Sequence, residues 1–321
     1  DNFYQVQALA LAEDGVLWAA TSAGLACYDG DKLRFYTSAD GLPTNQIDNV
    51  IAANGGGVWA ATRAGLVHYD GRRFKTFTSA DGLPSDQVFQ LKEDSQGQLW
   101  ISTNKYYESK RYSLVRYDGA RFVPYTTEEG LAADGVNHIM EDSHGNIWIS
   151  SWKGGVTRYD GHRITNFTSE NGLSSQLVLN VMQDRRGRVW FSTDQGLDWY
   201  EDGRIRHLDT PEGLAGIGIK DTVEDPEGKL WVATDGNGLY CLDGQQWTHW
   251  NTITGLLDDH VNVLLIDGQG RLWAGTENGI GVWDGKRWRT YSAKDGLLGK
   301  KVRILQEDGA GHIWIGHSGF F

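Results

Sequence analysis

The chain has 321 residues, 40 % of them apolar, with 42 glycines, 14 tryptophans, only 5 prolines and a formal net charge of −12. That apolar content suffices for a packed core, and the acidic balance argues against non-specific binding to nucleic acid or to an anionic membrane. No apolar run approaches the roughly 18 residues of a membrane span, and no signal peptide is visible. The chain begins at Asp1 rather than Met, as a trimmed fragment would. Cys27 and Cys241, its two cysteines, occupy similar places in distant repeats, which reads as two buried free thiols rather than a disulfide framework and leaves the compartment open.

Eight tryptophans set a period: Trp18, Trp59, Trp100, Trp148, Trp190, Trp231, Trp273 and Trp314, at spacings of 41, 41, 48, 42, 41, 42 and 41. A repeat of about forty residues suits a propeller blade. The outer half of a unit is clear at "GLVHYDG" from Gly65, a strand whose Asp-Gly pair turns into a second strand, "RRFKTFT". "SADGLP" follows, and the unit restarts at Gly82 with "GLPSDQVFQLKEDSQGQLW". Here Val88 and Leu91 mark one strand, Asp94 and Gly97 supply turn chemistry, and Trp100 lies on the next strand. Val136, Ile139, Asp142, Gly145 and Trp148 repeat the pattern, as do Val302, Leu305, Asp308, Gly311 and Trp314.

Each unit therefore predicts four short strands, A to D, and no segment sustains helical periodicity over three turns. The expected fold is all-β: one β-propeller domain over 1–321, built of four-stranded blades of about 41 residues. The chain holds eight A–B pairs but seven C–D pairs, and it ends at "GHSGFF" where strand C of the eighth unit would begin. One inner strand per blade favours eight blades over seven, the last incomplete.

"GLAADGVNHIMEDSHGNIWIS" and "GLLGKKVRILQEDGAGHIWIGHSG" resemble the two-component regulator propeller repeat, as do the central strands "GQLWIST", "GRVWFST", "GKLWVAT" and "GRLWAGT". The resemblance covers essentially the whole chain. It implies an extracytoplasmic, hence periplasmic or extracellular, ligand-sensing domain of a bacterial sensor kinase or a relative, with carbohydrate fragments as frequent ligands. Further domains usually follow such propellers, so signalling output is not expected from this chain alone.

Residues that recur in every unit are read as scaffold. Among them are Thr21, Thr62, Thr103, Thr193, Thr234 and Thr276, three residues after each tryptophan. "DSQGQ" and "DRRGR" lack the alternating oxygen ligands of a calcium loop, and the nine histidines show no metal-ligand spacing. Standard catalytic signatures are missing. No catalytic residue, metal or cofactor is therefore assigned. Asn166-Phe167-Thr168 matches a glycosylation acceptor, a weak three-residue signal.

The informative positions differ between units. Just after the first apolar residue of strand A stand Asp48-Asn49, Phe89-Gln90, Asn137-His138, Leu179-Asn180, Lys220-Asp221, Asn262-Val263 and Arg303-Ile304. They are mostly polar and are expected at a channel mouth, where Asn49, His138, Asn180, Asp221, Asn262 and Arg303 are candidates to hydrogen-bond a ligand. "NKYYESKRYS", residues 104–113, lengthens the B–C loop of the third unit by about seven residues. Its Tyr106, Tyr107, Lys110, Arg111 and Tyr112, with Trp152 and Lys153 of the next unit, form a second candidate set. Aromatics beside cations can stack on sugar rings and pair with acidic groups, or anchor a protein partner.

The leading expectation is a non-catalytic sensor propeller for an oligosaccharide or other small polar ligand. One alternative is an interaction scaffold that contacts a protein through 104–113. The other is a propeller lyase or hydrolase acting on a polysaccharide or cyclic ester, with His138 as general base and Lys220 or Arg303 steadying an anion.

Overall fold

The computed structural model describes residues 5–103, 114–208, 211, 214 and 216–317. The chain divides into two compact units, residues 1–151 with 157–166, and residues 152–156 with 167–321. Among the described residues every sheet is antiparallel and its strands follow chain order, so each blade is a meander. The first unit holds blades one to four, their strands A being Val6–Leu11, Ile47–Ala52, Val88–Glu93 and Val136–Glu141. The second holds blades five to seven, with strands A Val178–Gln183, Ile219–Glu224 and Val261–Ile266. It also holds a two-stranded sheet, Val302–Glu307 with Ile313–His317.

This corrects the expected blade number. The structure has seven four-stranded propeller blades, not eight. Counting inner strands misleads here because the eighth A–B pair has no C or D strand among the described residues. The consequence is visible in packing. In the first unit three repeat tryptophans meet a strand-C tyrosine of the following blade: Trp18 with Tyr69 at 5.3 Å, Trp59 with Tyr117 at 6.0 Å and Trp100 with Tyr159 at 5.4 Å between ring centroids. After Trp273 no such strand follows among the described residues, and a cavity of about 320 Å³ lies there between Trp273, Ile280, Tyr291, Leu297, Ile313 and Ile315.

The repeated residues do scaffold work. The indole N–H of Trp190 donates to Asp184 Oδ2 at 2.8 Å, while Asp184 Oδ1 accepts from the Arg186 and Arg188 amides at 3.0 and 2.9 Å. Asp94 and Trp100, Asp142 and Trp148, Asp225 and Trp231, Asp267 and Trp273, and Asp308 and Trp314 repeat the bond. One carboxylate thus closes the A–B turn and anchors the core tryptophan, which is why the two stand six residues apart. The repeated threonine closes the B–C turn, as where Thr276 Oγ1 donates to Gly279 O at 2.9 Å. Gly279 must be glycine: its φ is +137°, and a Cβ would sit 2.2 Å from Tyr291 O of strand D. "TSADG" forms a 3-10 turn with a reciprocal capping box, as between Thr78 and Asp81. A glutamate at the end of strand A then reaches back to the preceding blade's A–B turn. Glu93 accepts from the Asn54 amide, Glu141 from Ser95, Glu224 from Arg185 and Glu307 from Gly268, all at 2.7–2.8 Å. Within each unit these bonds join neighbouring blades. Cys27 and Cys241 are buried free thiols, and burial pushes the Cys241 thiol up to about 12.

Candidate functional site

All eight A–B pairings slip register near the start of strand A. In blade two Ile47 faces Thr62 and Asn49 faces Ala61, so Asp48 has no partner of its own. The same β-bulge leaves out Gln7, Asn137, Leu179, Lys220, Asn262 and Arg303, and in blade three it falls across Phe89-Gln90. A bulge inserts one residue opposite nothing and re-aims its side chain. Its identity is therefore released from the packing constraint that holds Ile219, Val261 and Val302, each fully buried. This is the physical reason the residues after the first apolar position vary between repeats.

In the second unit three consecutive bulge residues meet. Lys220, Asn262 and Arg303 line a cavity of about 370 Å³ with Asp235, Glu277 and Lys301. Asp235 and Glu277 each follow the repeated threonine that ends strand B, at Thr234 and Thr276. The cavity is thus built from two non-repeating positions held by repeating ones. Its charges are mostly paired. Lys220 Nζ lies 2.8 Å from Asp235 Oδ2 and Lys301 Nζ lies 2.6 Å from Glu277 Oε1. Asn262 Nδ2 donates to Val302 O at 3.1 Å. Arg303 is exposed and makes no ion pair or hydrogen bond among the described residues.

The same two positions pair in blade two with reversed charge. Arg63 Nε lies 3.1 Å from Asp48 Oδ2, and its guanidinium lies 5.7 Å from the centre of the Phe89 ring. The position after strand B is Trp152 in blade four, a residue 46 % exposed, with Lys153 exposed beside it. Tyr106, Tyr107, Lys110, Arg111 and Tyr112 lie outside the described residues.

The other expected residues sit one step further along strand A. There Asn49, Asn180 and Asp221 bond to neighbouring blades. Asn49 Nδ2 donates to Gln90 Oε1 at 3.0 Å. Asn180 Nδ2 donates to Asp221 Oδ1 at 2.7 Å, and Asp221 Oδ2 accepts from the Leu264 amide at 2.8 Å. Asp221 therefore joins three blades, and burial pushes its carboxyl up to about 6 against the pull of those bonds. His138 presents a buried Nδ1 with no hydrogen-bond partner among the described residues. Burial, with a contribution from the Lys92 charge, lowers His138 to about 4. A group so reluctant to take a proton is a weak general base at neutral pH.

Of the expected residues, the structure brings together Asn262 and Arg303, and adds Lys220, which the lyase alternative had named. The sequence reading missed Asp235, Glu277 and Lys301. The signal was present: after the repeated Thr or Ser the chain reads Ser22, Arg63, Trp152, Asp194, Asp235 and Glu277, as variable as the bulge itself.

Two other clusters are structural. Ser174 Oγ donates to Asp198 Oδ2 at 2.8 Å, and His207 Nδ1 lies 2.7 Å from Asp198 Oδ1. The carboxylate stands between serine and imidazole, so the serine has no imidazole base at hand. Asn166 accepts from Thr157 Oγ1 and donates to Gly130 O at 2.8 Å, which ties up the amide a glycan would need. Among the described residues no group of three or more His, Cys, Asp or Glu side chains could hold a metal ion, and no helix is long and apolar enough to cross a membrane.

Residues 82–105, 130–153, 172–195 and 255–278 match the two component regulator propeller family. No curated protein is significantly similar in sequence. Among solved structures the chain is similar to the extracellular domain of a protein from B. thetaiotaomicron assigned to a hybrid two-component system, at 20 % identity and a TM-score of 0.59 over 97 % of this chain and 51 % of that one. It is similar to PorZ, a surface component of the type-IX secretion system of Porphyromonas gingivalis, at 16 % identity and 0.64 over 87 % and 46 %. Virginiamycin B lyase from Staphylococcus aureus gives 16 % and 0.60 over 97 % and 91 %. The chain spans about half the length of the first two. At these identities the likeness is one of fold.

Proposed function

We propose, from the four segments that match the two component regulator propeller family, that the chain is a non-catalytic, extracytoplasmic sensor module that binds a small polar ligand, a carbohydrate being the leading class. The observation that carries the reading is the cavity at Lys220, Asn262 and Arg303. It is the place where three adjacent repeats depart from their common residues toward one space. Its size is near the lower end for small-molecule sites, and its polar groups converge, as orientation of a ligand requires. The cavity beside Trp273 lies where no strand C packs among the described residues, and its lining is mainly apolar. The extracellular, hybrid two-component assignment of one fold relative supports the sensor role.

A thermal-shift screen against neutral and acidic mono- and oligosaccharides tests it, run on the parent and on a Lys220→Ala/Asn262→Ala variant. A ligand at 100 times its Kd stabilises the native state by about 2.7 kcal/mol, a shift of several degrees. The expected result is a shift in the parent that the variant loses. A shift that persists in the variant would remove the ligand from this cavity. A Trp152→Ala variant run alongside reads whether that exposed indole shares in binding.

A further inference from the structure

The cavity holds three cations and two carboxylates, and these do not balance. Lys220 is matched by Asp235 and Lys301 by Glu277, at 2.8 and 2.6 Å. Among the described residues Arg303 has no anionic partner. Elsewhere the repeat supplies one: where a bulge residue is charged in blades two and six, the residue after strand B of the same blade carries the opposite sign, as in Asp48 with Arg63 and Lys220 with Asp235. The cavity is therefore set one positive charge out of balance, and the uncompensated group is a guanidinium. Its planar fork matches a carboxylate with two parallel N–H···O bonds. Beside it, Asn262 commits its Nδ2 to Val302 O and leaves Oδ1 free to accept from a hydroxyl. The carboxylates of Asp235 and Glu277 can accept from further hydroxyls, while their lysines hold them in place.

Resting on the proposed binding role, we infer that the cavity is specific for a monoanionic polyol of about one sugar ring, a sugar acid whose carboxylate takes Arg303 and whose hydroxyls take Asn262, Asp235 and Glu277. The two compensated ion pairs leave no second cation for another negative charge, so a doubly charged ligand gains nothing over a singly charged one. A neutral sugar would leave the guanidinium without its partner, and a bare inorganic anion would leave the three acceptors unused.

Isothermal titration with D-glucuronate, D-glucose and inorganic sulfate tests this, on the parent, Arg303→Gln and Arg303→Lys. The side chain is exposed, so both variants are expected to fold. The inference expects glucuronate to bind at least tenfold tighter than glucose or sulfate, to lose at least tenfold in Arg303→Gln and to recover part of it in Arg303→Lys. Affinity should also fall as salt is raised, since the site is partly exposed. Equal affinity for glucose and glucuronate, unchanged in Arg303→Gln, would overturn the charge requirement and leave the carbohydrate-sensor reading standing. Sulfate binding as tightly as glucuronate would overturn the sugar acid in favour of a plain anion site. No heat from glucuronate would overturn the inference outright. The broader reading would then survive only if a neutral sugar gave a shift that Lys220→Ala/Asn262→Ala removes.

Discussion

Asp184 shows how much one repeated side chain carries. It is 5 % exposed and holds two backbone amides, the Trp190 indole and the Arg188 Nε, the last at 2.6 Å. Asp184→Ala strands a buried indole N–H and opens the turn, so a loss of about 3 kcal/mol is expected. Chemical denaturation of the variant measures it, and a loss below about 1 kcal/mol would show that water replaces the carboxylate. A double variant with Trp190→Phe removes the stranded donor and should lose less than the two single changes summed. The repeat contains its own precedent. Ala12 and Ala53 stand where the aspartate would be in blades one and two, and Trp59 there finds Glu93 of the next blade. In the sequence the aspartate was legible as turn chemistry and the tryptophan as the period. Their bond was not, because a spacing of six residues on opposite sides of a turn becomes a contact only once the hairpin closes.

Strands A carry two kinds of residue side by side, and stability separates them. Ile219 is fully buried and Lys220, next to it, is a bulge residue with a partly exposed side chain. Ile219→Ala is expected to cost about 2–5 kcal/mol by lost burial and cavity formation. Lys220→Ala should stay within about 0.5 kcal/mol, because an exposed ion pair contributes little. Paired urea melts check both. A large loss in Lys220→Ala would mean that the pair braces the sheet and that the cavity is structural. The alternation also explains what the sequence could tell about the site. The polar character after the first apolar residue was readable in seven units, and with it Asn262 and Arg303. The bulge was not readable, since one extra residue leaves the apolar pattern of each strand intact. Without the bulge, the first and second polar positions look equivalent. The structure divides them: the first faces the cavity in blades six, seven and the last strand pair, and the second, in Asn49, Asn180 and Asp221, bonds to the neighbouring blade. The blade number was misread for a related reason, because tryptophans count inner strands and a blade also needs its outer two.

Across the whole molecule the two units should answer acid in opposite directions, because the most deeply buried titratable groups on their strands A, His138 and Asp221, are of opposite kind. In the first unit His138 is lowered to about 4 by burial beside the Lys92 charge. An unfolded imidazole titrates near 6.5, so between these values the unfolded chain binds the proton more. Stability from this group is complete above about pH 6.5 and falls as pH drops toward 4, by about 2 kcal/mol at pH 5. In the second unit Asp221 is raised to about 6 by burial, against the bonds from Leu264, Thr222 and Asn180. Here the folded chain holds the proton more strongly. The contribution is present below about pH 4 and is lost as pH rises through 6, by about 3 kcal/mol in all. Hydrogen exchange corrected for intrinsic rates resolves the two, because it reads opening region by region. Moving from pH 7 to pH 5 should lower protection in the strands around Val136–Glu141 and raise it in those around Ile219–Glu224. His138→Leu should abolish the first change and leave the second. Asp221→Asn should abolish the second, and also cost stability at pH 7, since its amide would set a donor against the N–H groups that the carboxylate now accepts from. A uniform change in protection across both units would show that other carboxylates govern the acid response and that neither buried group does.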